Sequence, residues 1–253
     1  MTTSRFYCPV PLAAGLRVDL PAAVARHVVN VLRLRRGDEL TLFDGAGGEY
    51  ACCIATAAPA EAAVDVLEWR AVEREAPLAI TLVQALQAGD KMDMTVQKAV
   101  ELGVGRIVPV SSRRSVLRLD GPRAARRIEH WRAVAIAACE QCGRNRLPEV
   151  DALHSLESWL GKPPPPGALR LMLAPDAKQA LHGIAPPAPG AVLELLIGAE
   201  GGLAPEEMQL AALAGFVSVR LGPRILRTET AGLATMAAIQ CLWGDFREGG
   251  AHV

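Results

Sequence analysis

Two glycine-bearing segments near the C-terminus hold the residue types best suited to gripping a ligand. They are LLIGAEGGLAPEE (195–207) and LGPRILRTETA (221–231). Each follows an apolar, strand-like run: VLELLI (192–197) before the first and FVSVRL (216–221) before the second. A strand that ends in a glycine-rich loop and restarts as a helix presents backbone N–H groups to a ligand. Open α/β sheets bind small molecules at that edge, so two such loops predict one shared pocket. Neither loop is a phosphate cradle of a known kind. No GK[ST] marks a P-loop, and no G-x-G-x-x-G is present. A plain nucleoside triphosphate or a Rossmann-bound dinucleotide is therefore not the expected ligand.

The elements that must position these loops are legible in outline. Short strands are predicted at 5–7, 16–20, 39–45, 50–57 and 62–69, separated by turn signals at Gly37-Asp38, Asp44-Gly45 and Ala58-Pro59. One helix, 21–33, interrupts them, with Pro21 in its first turn. Short strands with one helix predict a small β-barrel over 1–72, and the charged, Pro-bounded segment Val72–Pro77 reads as a domain junction. From residue 78 strands and helices alternate, which predicts an α/β domain over 78–250. Its strands are expected at 80–86, 106–110, 169–174, 192–197 and 216–221. Its helices are expected at 91–102, with Asp90 as N-cap and Gly103 closing it, then at 124–142, 205–214 and 230–242. Ile128, Trp131, Ala135 and Ala138 share one face of the long helix. Ala204 offers no capping oxygen to helix 205–214.

Composition sets limits on function. Half of the residues are apolar and 21% are charged, a globular balance. No apolar run is long enough to span a bilayer, and MTTSRFYCP has no basic start followed by an apolar core, so neither membrane nor signal peptide is expected. The six cysteines, Cys8, Cys52, Cys53, Cys139, Cys142 and Cys241, form neither a disulfide framework nor paired zinc knuckles. A reducing cytoplasm fits. The net charge is zero, yet Arg113, Arg114, Arg118, Arg123, Arg126 and Arg127 face one acid, Asp120, in a single stretch. Arg33, Arg35 and Arg36 form a second cluster. Guanidinium forks bind phosphate bidentately, so local clusters serve RNA without a basic total.

The two glycine segments together resemble the knotted SPOUT-class methyltransferases. Within that class the chain is similar to the bacterial enzymes that methylate N3 of a uridine in 16S ribosomal RNA. The resemblance extends to RFYCP (5–9), HVVNVLRLRRGDEL (27–40), GDKMDMTVQKAVELGV (89–104), IAACEQCGRNRLPEV (136–150) and LAP (173–175). It implies an α/β fold: a knotted SPOUT-type methyltransferase domain behind an N-terminal PUA-like β-barrel that binds RNA. It also implies S-adenosylmethionine as cofactor, 16S rRNA of the small ribosomal subunit as partner, and a homodimer with the pocket near its interface. Three positions depart from the family pattern. Ala199 replaces a Pro, Ala174 a His, and Arg113 the Glu of a Glu-Arg pair.

The resemblance implies a cofactor site built from Leu173, Ile197, Gly198, Glu200, Gly201, Gly202, Leu221, Gly222, Ile225 and Leu226. Arg5, Arg33, Arg113, Arg118 and Arg123 are the expected RNA contacts. Methyl transfer is an in-line displacement at a sulfonium carbon, so positioning carries the catalysis and no metal is required. Uracil N3 must lose a proton, which calls for a base or for a cation opposite the charge that develops on the ring oxygens. Arg114, Arg224 and Arg227 are the cationic candidates, and Glu200 and Glu229 the acidic ones. Arg227, Glu229 and Arg114 are the favoured catalytic set. Glu229 equally suits a helix N-terminus, each Arg equally suits an ion pair, and His27 reads as a packed helix histidine. A transfer RNA or 23S rRNA as substrate, or a non-catalytic ribosome assembly factor, stays open as an alternative. The intact GAEGG and RTETA segments speak against the last. A nucleotide-binding protein without RNA contacts would leave the 113–127 arginines idle.

Overall fold

The computed structural model describes residues 4–58 and 61–247. Pro59 of the expected Ala58-Pro59 turn, and the outer ends of the two expected domains, lie outside the described residues. The chain forms two compact units: Met1–Glu75 with Cys139–Leu147, and Ala76–Ala138 with Pro148–Val253.

The first unit contains β1 (Arg5–Tyr7), β2 (Arg17–Asp19), α1 (Ala22–Arg26), β3 (Glu39–Phe43), β4 (Glu49–Ala58) and β5 (Glu61–Arg70). The hydrogen-bonded path runs β1-β3-β4-β5-β2. Only the β1–β3 pairing is parallel. Inward residues such as Phe6, Val18, Leu40, Leu42, Ile54 and Val64 are buried together around Ala25 and Val28. The helix expected at 21–33 is shorter and changes form. Pro21 precedes it with an extended backbone, and the α-helix passes into a π turn over His27–Val31. β-Branched Val28, Val29 and Val31 crowd an α-helical turn, and Arg33 then takes a positive φ of 56° that ends it. His27 lies edge-on against Phe6 while remaining exposed, so it sits at the rim of the core and not inside it.

The second unit contains β6 (Ala79–Ala85), α2 (Lys91–Glu101), β7 (Val104–Ser111) and most of α3 (Gly121–Cys142), followed by β8 (Glu149–Val150), β9 (His154–Ser155) and α4 (Leu156–Leu160). Next come β10 (Leu169–Leu173), β11 (Gln179–Ala180), β12 (Val192–Ile197), α5 (Pro205–Leu213), β13 (Val217–Arg220) and α6 (Thr228–Trp243). The sheet order is β11-β13-β10-β12-β6-β7-β8, with β9 on β7. Every pairing in it is parallel. Buried parallel strands read as near-continuous apolar runs, and LVQA and LELLI do so here apart from the buried Gln84 and Glu194. The order is permuted: β10 lies between β12 and β13, strands that follow it in the chain. After β13 the chain doubles back, and α6 packs on α2 and β12.

Several helix ends differ from expectation. Asp90 makes no side-chain cap; its carbonyl accepts from the Met94 N–H at 3.1 Å. Gly103 closes α2 at φ +83°, where a Cβ would sit 2.6 Å from that of Ala76. Glu207 replaces the cap that Ala204 lacks. Its buried carboxylate accepts from the N–H groups of Ala204 and Arg113, each at 2.8 Å. The helix α6 begins at Thr228, two residues earlier than expected. The face Ile128, Trp131, Ala135 and Ala138 is buried. No helix among the described residues is long and apolar enough to cross a membrane.

A buried ion pair fastens the sheet beneath the loops. Arg170 on β10 and Glu194 on β12 are register partners. Arg170 Nε lies 2.5 Å from Glu194 Oε2, and each side chain is 4% exposed. The guanidinium also donates to the Ala214 carbonyl at 2.6 Å and lies over the Phe216 ring. Removing one partner strands a buried charge. Glu194→Ala is expected to lower unfolding free energy by about 3–5 kcal/mol in urea titration, and Arg170→Met with Glu194→Leu to recover most of it.

Candidate active site

The carboxyl ends of β12, β10 and β13 lie side by side, each in parallel register with the next. Three loops leave that edge: the glycine loop after Ile197, the stretch after Leu173, and Leu221–Arg227. The glycine loop folds back on itself through a bond from the Gly202 N–H to the Ala199 carbonyl at 2.8 Å. Glycine is required at its base. A Cβ on Gly198 would sit 2.9 Å from the Gly202 carbonyl carbon and the Leu203 nitrogen.

A buried polar chain joins the first and third loops. The Thr228 hydroxyl, at the start of α6, donates to the Gly198 carbonyl at 2.5 Å. It accepts from Gln84 Nε2 at 3.2 Å and Gln87 Nε2 at 3.3 Å. Gln87 Oε1 accepts in turn from the Thr95 hydroxyl at 2.9 Å. Gln84, Gln87 and Thr95 have no solvent exposure. One donor and two acceptor sites exhaust the hydroxyl of Thr228. Sequence reasoning missed this chain; its only signal was two glutamines inside the apolar stretch LVQALQ.

These loops enclose a cavity of about 530 Å³. Leu173, Ile197, Gly198, Glu200, Gly201, Gly202, Leu221, Gly222, Ile225 and Leu226 all border it, as do Arg114, Arg227 and Glu229. Ala174 and Ala199, two of the departures from the family pattern, are buried in its wall. Lys91, Asp176, Arg220 and Thr228 also line it, and none of these was singled out from sequence.

The charged wall has a definite arrangement. The Glu200 carboxylate accepts from the Ala88 N–H at 3.1 Å and from Lys91 Nζ at 3.3 Å. Burial pushes its carboxyl up, but its own N–H, that of Ala88 and Lys91 outweigh burial and hold it below the ordinary carboxylate value. Lys91 Nζ is also 3.9 Å from Glu229 Oε2. That oxygen is buried and has no hydrogen-bond partner among the described residues. Arg114 donates to the Gly201 carbonyl at 2.9 Å, tying the segment after β7 to the glycine loop.

The expected RNA contacts do not gather here. Arg5 is not at a free surface. Its guanidinium pairs with Glu49, donates to Asn145 Oδ1 at 2.7 Å and lies over the Phe43 ring, leaving the side chain 12% exposed. Arg113 pairs with Glu157 and Glu206, and Arg118 donates to the carbonyls of Ser112 and Arg113. Arg33 and Arg123 are exposed.

Comparison with known proteins agrees with this architecture. Residues 74–240 match the family described as RNA methyltransferase domain, and residues 20–67 match the RNA methyltransferase PUA domain. A ribosomal RNA small subunit methyltransferase E of Bacillus subtilis is 34% identical over 218 residues, covering 84% of this chain and 85% of the relative. One from Mycobacterium bovis is 33% identical over 219 residues, covering 85% and 83%. The crystal structure of a ribosomal RNA small subunit methyltransferase E from Neisseria gonorrhoeae bound to S-adenosyl methionine superposes with a TM-score of 0.92, at 44% identity, covering 97% of this chain and 100% of that one. A methyltransferase structure from Legionella pneumophila in complex with the same cofactor also gives 0.92, at 35% identity, with the same coverage. A permuted parallel sheet whose loops meet at one cavity, preceded by a PUA-like domain, defines the knotted, SPOUT-like class of RNA methyltransferases. Within it, the chain belongs to the ribosomal RNA small subunit methyltransferase E family.

The loop geometry separates two glycines that look alike in sequence. A Cβ at Gly198 meets backbone, whereas one at Gly201 meets only the Arg114 side chain, at 3.2 Å. Gly198→Ala is expected to cost about 1–3 kcal/mol in urea unfolding, as overpacking does, and Gly201→Ala less than about 1 kcal/mol.

Proposed function

We propose that this chain transfers the methyl group of S-adenosylmethionine to N3 of a specific uridine in 16S rRNA of the small ribosomal subunit. The observation that carries the reading is the meeting of both glycine loops, three carboxylates and several cations at one cavity. The volume lies in the range of sites that hold a nucleoside-sized ligand. The wall suits S-adenosylmethionine. Leu173, Ile197, Leu221 and Leu226 supply an apolar slot for adenine. The unpartnered Glu229 oxygen and the nearby Glu200 carboxylate supply acceptors beside a cationic ligand.

When bound, the cofactor supplies an electrophilic methyl group. The rest of the chemistry falls to the chain. Glycine backbone and the loop tied down by Thr228 fix the geometry of the slot. Glu229 is the acceptor placed to take the N3 proton. Arg227, at the entrance to α6, is placed to offset charge developing on the uracil oxygens, with Arg114 in support. This reading includes a homodimer, a cytoplasmic location and no metal.

The test is direct. Purified protein, S-adenosylmethionine and small-subunit rRNA lacking the modification should yield one N3-methyluridine by nucleoside mass spectrometry. Arg227→Ala should reduce the single-turnover rate by about a hundred- to a thousand-fold while cofactor affinity holds. Methyl groups on transfer RNA, on 23S rRNA or at another uridine position would contradict the assignment.

A further inference from the structure

Most arginines of the second unit already have partners. Arg106, Arg113, Arg132 and Arg170 pair with carboxylates. Arg114, Arg118 and Arg126 donate to main-chain carbonyls. Arg220, Arg224 and Arg227 differ from these; Arg123, Arg127 and Arg247 are likewise without a carboxylate among the described residues but do not line the cavity. The first three are exposed, and among the described residues no carboxylate or carbonyl takes up their side chains. All three also line the same cavity. Arg220 ends β13, Arg224 lies mid-loop, and Arg227 precedes α6.

Like charges left together without counter-ions raise one another's energy, and a polyanion relieves it. Of the carboxylates of that wall, Glu200 is bonded to Lys91, Glu229 lies nearest the same ammonium, and Asp176 makes no ion pair with the three guanidiniums among the described residues. Between Arg224 and Arg227 stands Ile225, 83% exposed. An uncompensated cationic rim with an apolar side chain at its centre matches a single RNA strand, with phosphates on the guanidiniums and a base or ribose on the hydrocarbon.

We propose that Arg220 and Arg224 form a phosphodiester-binding rim that seats the strand carrying the target nucleotide against the cavity. This rests on the function proposed above. It moves the expected RNA contact away from Arg113 and Arg118, whose guanidiniums the fold has already engaged.

The experiment measures binding of transcribed small-subunit rRNA to the full chain across a salt series. Cofactor calorimetry and methyl transfer are followed in parallel. Arg220→Ala with Arg224→Ala should reduce the slope of log affinity against log salt by about 1.4, two contacts at about 0.7 each. Cofactor affinity should be unchanged. The double Arg→Lys variant should keep most of the slope, because charge is retained. Arg113→Ala with Arg118→Ala should leave the slope as it is. An unaltered slope in the Arg220/Arg224 double alanine variant, with the parent protein methylating the RNA, overturns the rim and leaves the function standing. A parent protein that neither binds nor methylates this RNA overturns both.

Discussion

The bond from the Thr228 hydroxyl to the Gly198 carbonyl is the interaction on which the site depends. The strands that carry the two loops, β12 and β13, do not touch; β10 separates them. No local preference of the chain brings residue 198 to residue 228. The hydroxyl does so from a largely buried position, with the amides of Gln84 and Gln87 filling its remaining sites. Within this buried network Gln84 Oε1 is left without a hydrogen-bond partner among the described residues. Each unpaired member would cost about 1–3 kcal/mol. The same network reaches α2 through Thr95, so the loops, the central strand β6 and the adjacent helix are fixed as one body.

Charge is allotted on the same principle. Buried ions are paired, as Arg170 is with Glu194 and Arg5 with Glu49. Backbone donors without a cap are met by a carboxylate, as Glu207 meets the N–H groups of Ala204 and Arg113. Against that consistency, the unmatched groups stand out. Among the groups that line the cavity, the Glu229 oxygen and the three guanidiniums along it lack hydrogen-bond partners among the described residues.

Much of this was legible in the chain. The glycine loops announce themselves because each interrupts an apolar run, and the cavity-lining residues named from them do meet. The long helix was legible from one buried face. What escaped has a common cause: it depends on partners distant in sequence. Gln84 and Gln87 look like blemishes in a strand until Thr228, on another element, is placed beside them. Lys91 looks like an ordinary first-turn lysine until Glu200 arrives next to it. For Arg5 and the 113–118 arginines, composition records the charge but not the carboxylates and carbonyls that hold it. Nor does anything local mark the end of α3, where Glu140 accepts from the Tyr7 N–H at 2.9 Å within the first unit.

The measurement that bears most directly on this account is the calorimetric affinity for S-adenosylmethionine of Thr228→Ser and Thr228→Val, each first shown to be folded by circular dichroism. Serine keeps the hydroxyl. Valine keeps the shape and removes the hydroxyl, leaving the Gly198 carbonyl and the Gln87 amide without this partner, while the Gln84 amide keeps only the Ala85 carbonyl. Near-parental binding is expected for serine and a loss of about tenfold or more for valine. A folded Thr228→Val protein that binds the cofactor as tightly as the parent would contradict this expectation.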